Sequence, residues 1–452
     1  MDTALPDDAA SARPHPLPRS VALLFWLKLG FISFGGPAGQ IALMHAELVE
    51  RRRWISEKRF LHALNYCMLL PGPEAQQLAT YLGWLLHRTW GGILAGTLFV
   101  LPSLCLLIGL SWLYMAHGDV PVIAGVFYGI KPAVTALVVQ AAWRIGGRTL
   151  KNRWLWGIAV AAFGAIFALQ VPFPAIVLLA ALAGHVGGRV SPQAFSAGGA
   201  HGAAAASAGR ALIDDDTPAP PHASFSWARF AKVLLVGAGL WLLALGGLCA
   251  LFGWHGVLTQ MGWFFTKAAL MTFGGAYAVL PYVYQGAVDH HHWLSATQMI
   301  DGLALGETTP GPLIMVVSFV AFVGGWTHAL FGPGSLFLAG AVAATAVAFF
   351  TFLPSFVFIL LGGPFIESTH GNLKFTAPLT GITAAVVGVI ANLAVFFAYH
   401  VLWPQGLGGR FDAASAAIGV LAAVALFRLR WGVIPVLALC GLLGVACRLS
   451  GV

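Results

Sequence analysis

The chain has 452 residues, of which 59% are hydrophobic and only 9% charged, with a formal net charge of +8. An ordinary soluble domain carries about 25% charged residues, so this chain cannot cover a water-facing surface of its size and must use lipid as solvent. The positive balance calls for no nucleic-acid partner, because the charges sit in loops between apolar runs and report topology instead.

Residues 1–19 are polar and rich in Pro, and are expected to form a cytoplasmic N-terminal tail. The apolar run from Val21 leads into Phe34-Gly35-Gly36-Pro37 rather than a cleavage site, so no secretory signal is expected. A first transmembrane repeat is expected over 20–187. Its first two apolar stretches, Val21–Leu48 and Phe60–Leu86, are broken at Gly35-Gly36-Pro37 and Pro71-Gly72-Pro73, and Gly91–Met115, Val120–Ala142 and Trp154–Leu169 follow. Residues 188–226 are rich in Ala, Gly, Ser and Pro and carry Asp214-Asp215-Asp216. That composition cannot bury enough apolar surface to fold alone and is expected to be a flexible linker. An extra apolar helix at 227–253 precedes a second repeat over 254–452, whose runs Leu336–Leu361 and Ala377–Ala398 reach the roughly 20 residues needed to cross a bilayer.

The two repeats are visible in the residues themselves. At an offset of 239, Phe25 falls on Phe264, Lys28 on Lys267, Gly35-Gly36 on Gly274-Gly275, Trp54 on Trp293, Ser56 on Ser295 and Pro71-Gly72-Pro73 on Pro310-Gly311-Pro312. At an offset of 252, Leu101-Pro102-Ser103 meets Leu353-Pro354-Ser355 and Gly129-Ile130 meets Gly381-Ile382. Internal repeats of this kind are typical of secondary transporters.

Charge places the repeats in opposite senses. Lys and Arg concentrate in cytoplasmic loops. The first repeat has Arg51-Arg52-Arg53 with Lys58-Arg59, and then the loop Arg144–Arg153. Their equivalents are Asp289-His290-His291-His292, with no Lys or Arg, and His400–Asp412, with Arg410 alone. The lone extra helix supplies the odd crossing that inverts the second repeat. Both basic loops lie on one face only if Phe60–Leu86 is a re-entrant hairpin; a spanning segment would put Arg144–Arg153 on the other. The expected fold is therefore an all-α polytopic membrane protein with two homologous, inverted-topology halves and broken or re-entrant helices.

Non-helical backbone at membrane depth is tolerated where it is packed in protein or lines a wet cavity, so the breaks mark the candidate site. Pro at a first helical position makes a good helix start, and the free N–H groups there, with the positive dipole end, form an anion site. Candidate anion-binding residues are Gly35, Gly36, Pro37 and Gln40; Pro71, Gly72, Pro73 and Gln76; Gly274 and Gly275; and Thr309, Pro310, Gly311 and Pro312. Lys28 and Lys267, at matched positions, are candidates to attract or balance the anion. Glu74 and Glu307, beside the Pro-Gly-Pro breaks, are candidate proton carriers whose ionisation alternates with anion binding. Lys131, Asn65 and Asp301 are weaker candidates, and Gln77 and Thr308 are neutral donors nearby. The five Cys resemble small hydrophobes rather than ligands, and three consecutive His do not share a helical face. No metal site, cofactor or ATP-binding motif is expected, and no catalytic residue.

These stretches resemble the chromate ion transporter family. Phe31-Ile32-Ser33-Phe34-Gly35-Gly36-Pro37-Ala38-Gly39-Gln40, Glu47–Trp54 and Leu70-Pro71-Gly72-Pro73 are similar to its first-half motifs. Phe273-Gly274-Gly275-Ala276-Tyr277 and Thr309-Pro310-Gly311-Pro312 are similar to its second copy, so the resemblance spans about residues 20–450 in the two-domain layout. It implies proton-gradient-driven efflux of chromate across the bacterial inner membrane, giving chromate resistance, with sulfate as the natural competitor. A homo-oligomer is a further expectation. Ala276 stands where the first half has Pro37, so the two tips are not chemically equivalent.

Overall fold

The computed structural model describes residues 17–34, 36–195, 211–215, 217, 220–273, 275–369, 376–406 and 408–450. Among these residues the chain is helical, with an isolated bridge between Ile55 and Ile213 as its only extended pairing. The first half comprises α1 (Arg19–Ile32), α2 (Gly36–His45), α3 (Glu57–Leu69), α4 (Glu74–His117), α5 (Pro121–Thr149), α6 (Arg153–Leu169), α7 (Phe173–Val190) and a short α8 (Pro192–Phe195). After α9 (Trp227–Phe252) come α10 (Val257–Leu270), α11 (Ala276–Tyr284), α12 (Ala296–Thr308), α13 (Val316–Thr327), α14 (Leu336–Thr369), α15 (Thr376–Leu402), α16 (Ala413–Ala423) and α17 (Val433–Leu449). Six described helices are long and apolar enough to cross a membrane, and α6, α16 and α17 are shorter apolar helices. Exposed Leu178, Leu235 and Leu442 face outward from the bundle, as lipid-facing side chains must.

The repeat extends to fine backbone detail. A π-helical turn follows α2 at Ala46–Arg51 and α11 at Gln285–His290, and then Arg53 and His292 both adopt φ of 52°. Ser56 and Ser295, the matched serines, cap α3 and α12 by accepting from the N–H of Arg59 and Gln298. The matched aromatics pack alike: Phe25 lies 5.0 Å from Trp54, and Phe264 lies 5.5 Å from Trp293.

Those aromatic pairs also show that the broken segments are re-entrant. Trp54 follows the break in the first hairpin, yet it returns to the side of Phe25, which precedes it, so α1 and α2 enter and leave on one face. The second hairpin is closed by α3 and the first arm of α4. Its exit is the turn at His87 and Arg88, where Arg88 has φ of 59°, and the rest of α4 then doubles back beside the first arm. Glycines allow that contact: a Cβ on Gly92 would lie 2.9 Å from the Thr80 carbonyl, and one on Gly96 2.7 Å from Gln76 Nε2. In the second half, Phe319 of α13 lies against Gly302 of α12, closing the equivalent hairpin.

Contacts at the helix ends fix the two faces. On one, Arg59 and Tyr81 both reach Glu367 at the end of α14 (3.1 and 2.6 Å), and Leu17 meets His87 (2.9 Å). On the other, Tyr128 near the start of α5 donates to Asp412 at the start of α16 (2.8 Å), and Phe252 meets Phe331 (6.2 Å). The first face carries Arg51–Arg53, Arg88, Arg148, Lys151 and Arg189, and is the basic face. The hairpins of the first half open from it and those of the second half from the opposite face: the halves are inverted. α5 continues to Thr149, so Arg144 and Arg148 stand on one helical face rather than in the loop assigned from charge alone. The helix runs on through the basic stretch and leaves a turn of only Leu150 to Asn152 before α6.

The described part of the linker packs on the basic face. Leu212 and Ile213 donate to the carbonyls of Arg53 and Trp54 (2.9 and 3.0 Å), and Arg59 donates to the carbonyls of Asp214 (2.9 Å) and Thr217. His222 bonds the Trp84 carbonyl at 3.0 Å. With too little apolar surface for a core of its own, the segment is held by backbone polar groups at the hairpin mouths.

Candidate functional site

The four breaks meet where the halves join. The Gly72 amide donates to the Thr272 carbonyl at 2.7 Å, and the Gly311 amide to the Ser33 carbonyl at 2.8 Å. Each bond ties the Pro-Gly-Pro tip of one half to the Gly-Gly tip of the other, and the two bonds are related by the repeat. Gly72 (φ 128°) and Gly311 (φ 104°) occupy backbone space that a side chain rarely enters. Both are hemmed in by matched serines: Ser355 faces Gly72, and Ser103 Cβ would lie 2.7 Å from a Cβ on Gly311. Gln40, fully buried, clamps the second junction by donating to the carbonyls of Gly311 (2.5 Å) and Ser33 (3.3 Å). Gln77 ties the first by donating to the Pro71 carbonyl (2.7 Å).

Half-helices start at these tips. Gly36 (φ 69°) begins α2, with Pro37 in its first turn, and Gly275 (φ 97°) precedes α11. Pro73 caps α4, and Pro312 opens the short turn Leu313–Met315 that leads into α13. Thr309 closes α12, its hydroxyl donating to the Gly306 carbonyl (3.1 Å) ahead of buried Pro310. Gly35 and Gly274 lie outside the described residues. An added Cβ at Gly36 or Gly275 would meet nothing within 4 Å, so these tips border open space while the Pro-Gly-Pro tips are filled.

The side chains around the tips are not symmetric. Glu74 begins α4, half-buried, and among the described residues has no hydrogen-bond or ion-pair partner; its repeat equivalent is Leu313. Glu307 accepts from the Tyr277 hydroxyl, and their equivalents are Met68 and Ala38. Arg144 of α5, whose equivalent is Phe396, acts electrostatically on both Glu307 and Tyr277. A cavity of about 30 Å³ lies among Gly36, Gln140, Arg144, Tyr277, Glu307 and Val433. Gln76 donates to Thr80 (3.0 Å), and the side-chain oxygens of Gln40, Gln76 and Gln77 are buried without partners among the described residues. Amide groups can turn to present N–H₂ to a polar guest. Lys28 is exposed on α1. Lys267 is partly covered, with its ammonium 5.5 Å from the Trp263 ring.

Coverage differs between the halves as well. Every residue from Ala276 to Val283 in α11 is buried, whereas only Gln40 and Met44 are buried in α2. The cavity therefore adjoins a sparsely covered arm on the basic-face side, while the opposite side is closed by α11 and α12. Lys131 of α5 seals that closed side with Asp301 of α12 (3.4 Å), and Tyr114 donates to the same carboxylate oxygen (2.8 Å). A larger groove of about 500 Å³ between α9 and α14 is lined by Ala, Leu, Val and Phe with Thr345, and suits lipid tails rather than an ion. Charge patterning points to Arg144 as a loop residue and treats Tyr277 only as part of a motif. The available signal is the four-residue spacing of Gln140, Arg144 and Arg148, which puts all three on one face of α5.

A family profile described as "Chromate transporter" matches residues 21–185 and 259–445, one copy in each half. The chain is 33% identical over 448 residues to a chromate transport protein of Pseudomonas aeruginosa, covering 96% of this chain and 94% of that one. It is 30% identical over 398 residues to a chromate transport protein of Cupriavidus metallidurans, covering 87% and 86%. An uncharacterized transporter of Bacillus subtilis, 30% identical over 172 residues, matches 37% of this chain but 86% of its own length, so that relative corresponds to a single half. No solved structure matches the chain. Two inverted copies, a matching profile in each, and relatives aligned almost end to end place this chain in the chromate transporter family.

Proposed function

We propose that this protein exports chromate across the bacterial inner membrane, energised by the proton gradient, and thereby confers chromate resistance. The observation that carries the reading is the paired junction of Gly72 with Thr272 and Gly311 with Ser33, which gathers half-helix starts from both inverted copies at one place. Half-helix N-termini offer unpaired N–H groups and positive dipole ends, which suit a small dianion without placing a bare charge in lipid. The named relatives supply chromate as the member of that class. Gly35, Gly36, Pro37, Gln40, Gln76, Gly274, Gly275 and the Pro-Gly-Pro residues are the proposed anion site, Lys28 and Lys267 its flanking cations, and Glu74 and Glu307 its proton carriers.

Direction follows from charge. The basic face is cytoplasmic by the distribution of Lys and Arg, and the less covered α2 arm lies on that side, where cytoplasmic anion would enter. An interior-negative potential contributes about 2.3 kcal/mol per elementary charge per 100 mV, and so pushes a dianion outward. Sulfate, of the same shape and charge, is the alternative cargo, and a passive oxyanion channel the alternative mode. Chromate accumulation in everted membrane vesicles, with and without an imposed proton gradient, tests the proposal. Energised accumulation that is stronger for chromate than for sulfate is expected. Absence of accumulation in both conditions overturns it, and flux indifferent to uncouplers favours a channel.

A further inference from the structure

Arg144 and Glu307 share no hydrogen bond. They belong to different halves, on α5 and α12, and face each other across the cavity that begins at Gly36. No ion pair joins them at contact distance, although the guanidinium acts electrostatically on the carboxylate and on Tyr277, which donates to that carboxylate. Of the charged and titratable groups around Glu307, Tyr277 from α11 and Arg144 from α5 are the ones that act on it; Asp301 on its own helix is engaged by Lys131 and Tyr114. Gln140, one turn before Arg144, adds a neutral amide to the lining.

A gap bounded by a guanidinium, a phenol and a carboxylate has a definite preference. An oxyanion entering it gains charge-assisted bonds from Arg144 but meets Glu307, a like charge, on the far wall. Two adjacent anions favour protonation of one of them, and the Glu307 carboxylate, fixed by Tyr277 and partly buried on the cavity wall, is the acceptor the site supplies. Resting on the proposed oxyanion transport, we infer that Arg144, Tyr277 and Glu307 form the side-chain wall of the anion site, and that Glu307 takes up a proton whenever the oxyanion is bound. The proton comes from solvent and settles on a Glu307 carboxylate oxygen, which then donates toward the anion; no bond to the central atom of the oxyanion changes. Binding is thus a competition in which Glu307, when ionised, holds the field of Arg144 for itself. A dianion accompanied by one proton moves one net negative charge outward, so this step draws on the membrane-potential part of the proton gradient, and the inward return of protons falls to Glu74.

The cavity of about 30 Å³ matches the volume of roughly one water, so an oxyanion must part its walls. α2, with only Gln40 and Met44 buried, is the wall least held by neighbours. The counterpart region has Asn392, Phe396, Ala38 and Met68 in place of Gln140, Arg144, Tyr277 and Glu307. Among the described residues the counterpart region therefore lacks this side-chain set.

The test is calorimetric titration of the full-length protein in lipid nanodiscs, with chromate and with sulfate, at a pH where both are fully dianionic. Comparing two buffers of different ionisation enthalpy gives the protons taken up per anion bound. Wild-type protein is expected to take up close to one. Glu307→Gln is expected to take up none and to bind about tenfold tighter, because the resident competitor is gone, while Arg144→Gln binds at least about tenfold weaker and Arg144→Lys recovers part of the loss. Proton release on binding, uptake that persists in Glu307→Gln, or unchanged affinity in Arg144→Gln overturns the inference. Because the proton count is read on wild-type protein, it decides even where a variant fails to fold. Failure of wild-type protein to bind either anion instead overturns the transport reading beneath it.

Discussion

The amide of Gly72 donates to the carbonyl of Thr272 at 2.7 Å, across the seam between two oppositely inserted halves. Its repeat-related partner, Gly311 to Ser33 at 2.8 Å, closes the other side of the same seam. Each tip thereby loses a free donor, and the neighbouring Gly36 and Gly275 are left as the open ones. The central glycines of the Pro-Gly-Pro segments act as joints, while the half-helix starts that follow them and the Gly-Gly segments present backbone to a guest.

Gly311→Ala tests the joint. A Cβ there meets Ser103 Cβ at 2.7 Å in a conformation of φ 104°. Strain of this kind costs about 1–3 kcal/mol, and neither group is the far end of a flexible chain. A lowered thermal midpoint in detergent is expected, together with reduced transport. Gly36→Ala faces no clash and carries a cost from its φ of 69° alone, so its midpoint falls less.

The pair of Lys131 and Asp301 locks the closed side. Asp301 is 2% exposed, and removing its cation leaves a buried charge uncompensated. Lys131→Met is expected to destabilise the protein by roughly 3 kcal/mol, whereas Lys131→Met with Asp301→Asn recovers most of that loss. Unfolding of the two single variants and the double variant measures the coupling. Additive losses would show that the two residues act independently.

The linker strap is held by Arg59, which bonds Glu367 at 3.1 Å and the carbonyls of Asp214 and Thr217. Arg59→Ala is expected to speed limited proteolysis of the linker by about tenfold or more, in line with the roughly 1.5–3 kcal/mol lost with a charged hydrogen-bonding group. His222 adds a pH dependence. Burial, followed by the charges of Arg88 and Arg229, pushes its pKa below the usual 6.5. The docked linker thus resists protonation more than the free one does. Docking is full above that usual value and weakens as pH falls through the window beneath it. Faster cleavage in mild acid is expected, and His222→Gln removes the change.

Inversion is read directly from Arg53 and His292, equivalent residues that share φ of 52° at the exits of matched hairpins. In a background without native cysteines, Arg53→Cys and His292→Cys are expected to react with an impermeant maleimide from opposite faces of sealed vesicles. Labelling of both from one face would contradict the fold.

Much of this fold is legible in the sequence, because its joints use residues with few substitutes. Gly and Pro at the tips, the Phe25–Trp54 and Phe264–Trp293 pairs and the caps Ser56 and Ser295 recur at a fixed offset and keep their roles. The facing of Arg144 and Glu307 is not legible. It depends on α5 of one half crossing α12 of the other, a long-range contact that leaves no periodic trace, and on α5 continuing through a basic stretch that resembles a loop. The strap escapes for another reason. Arg59 grips backbone carbonyls, which every residue possesses, so composition carries no sign of the docking.

The claim that interrupted helices hold the anion through their backbone is tested most directly by hydrogen–deuterium exchange in nanodiscs, with and without saturating chromate. Slowed exchange is expected at the amides of residues 33–40 and 74–77, and at 275–279 and 313–316, with the linker and the outer loops unchanged. Slowing confined to the loops of either face, with the tips unaffected, would contradict the account.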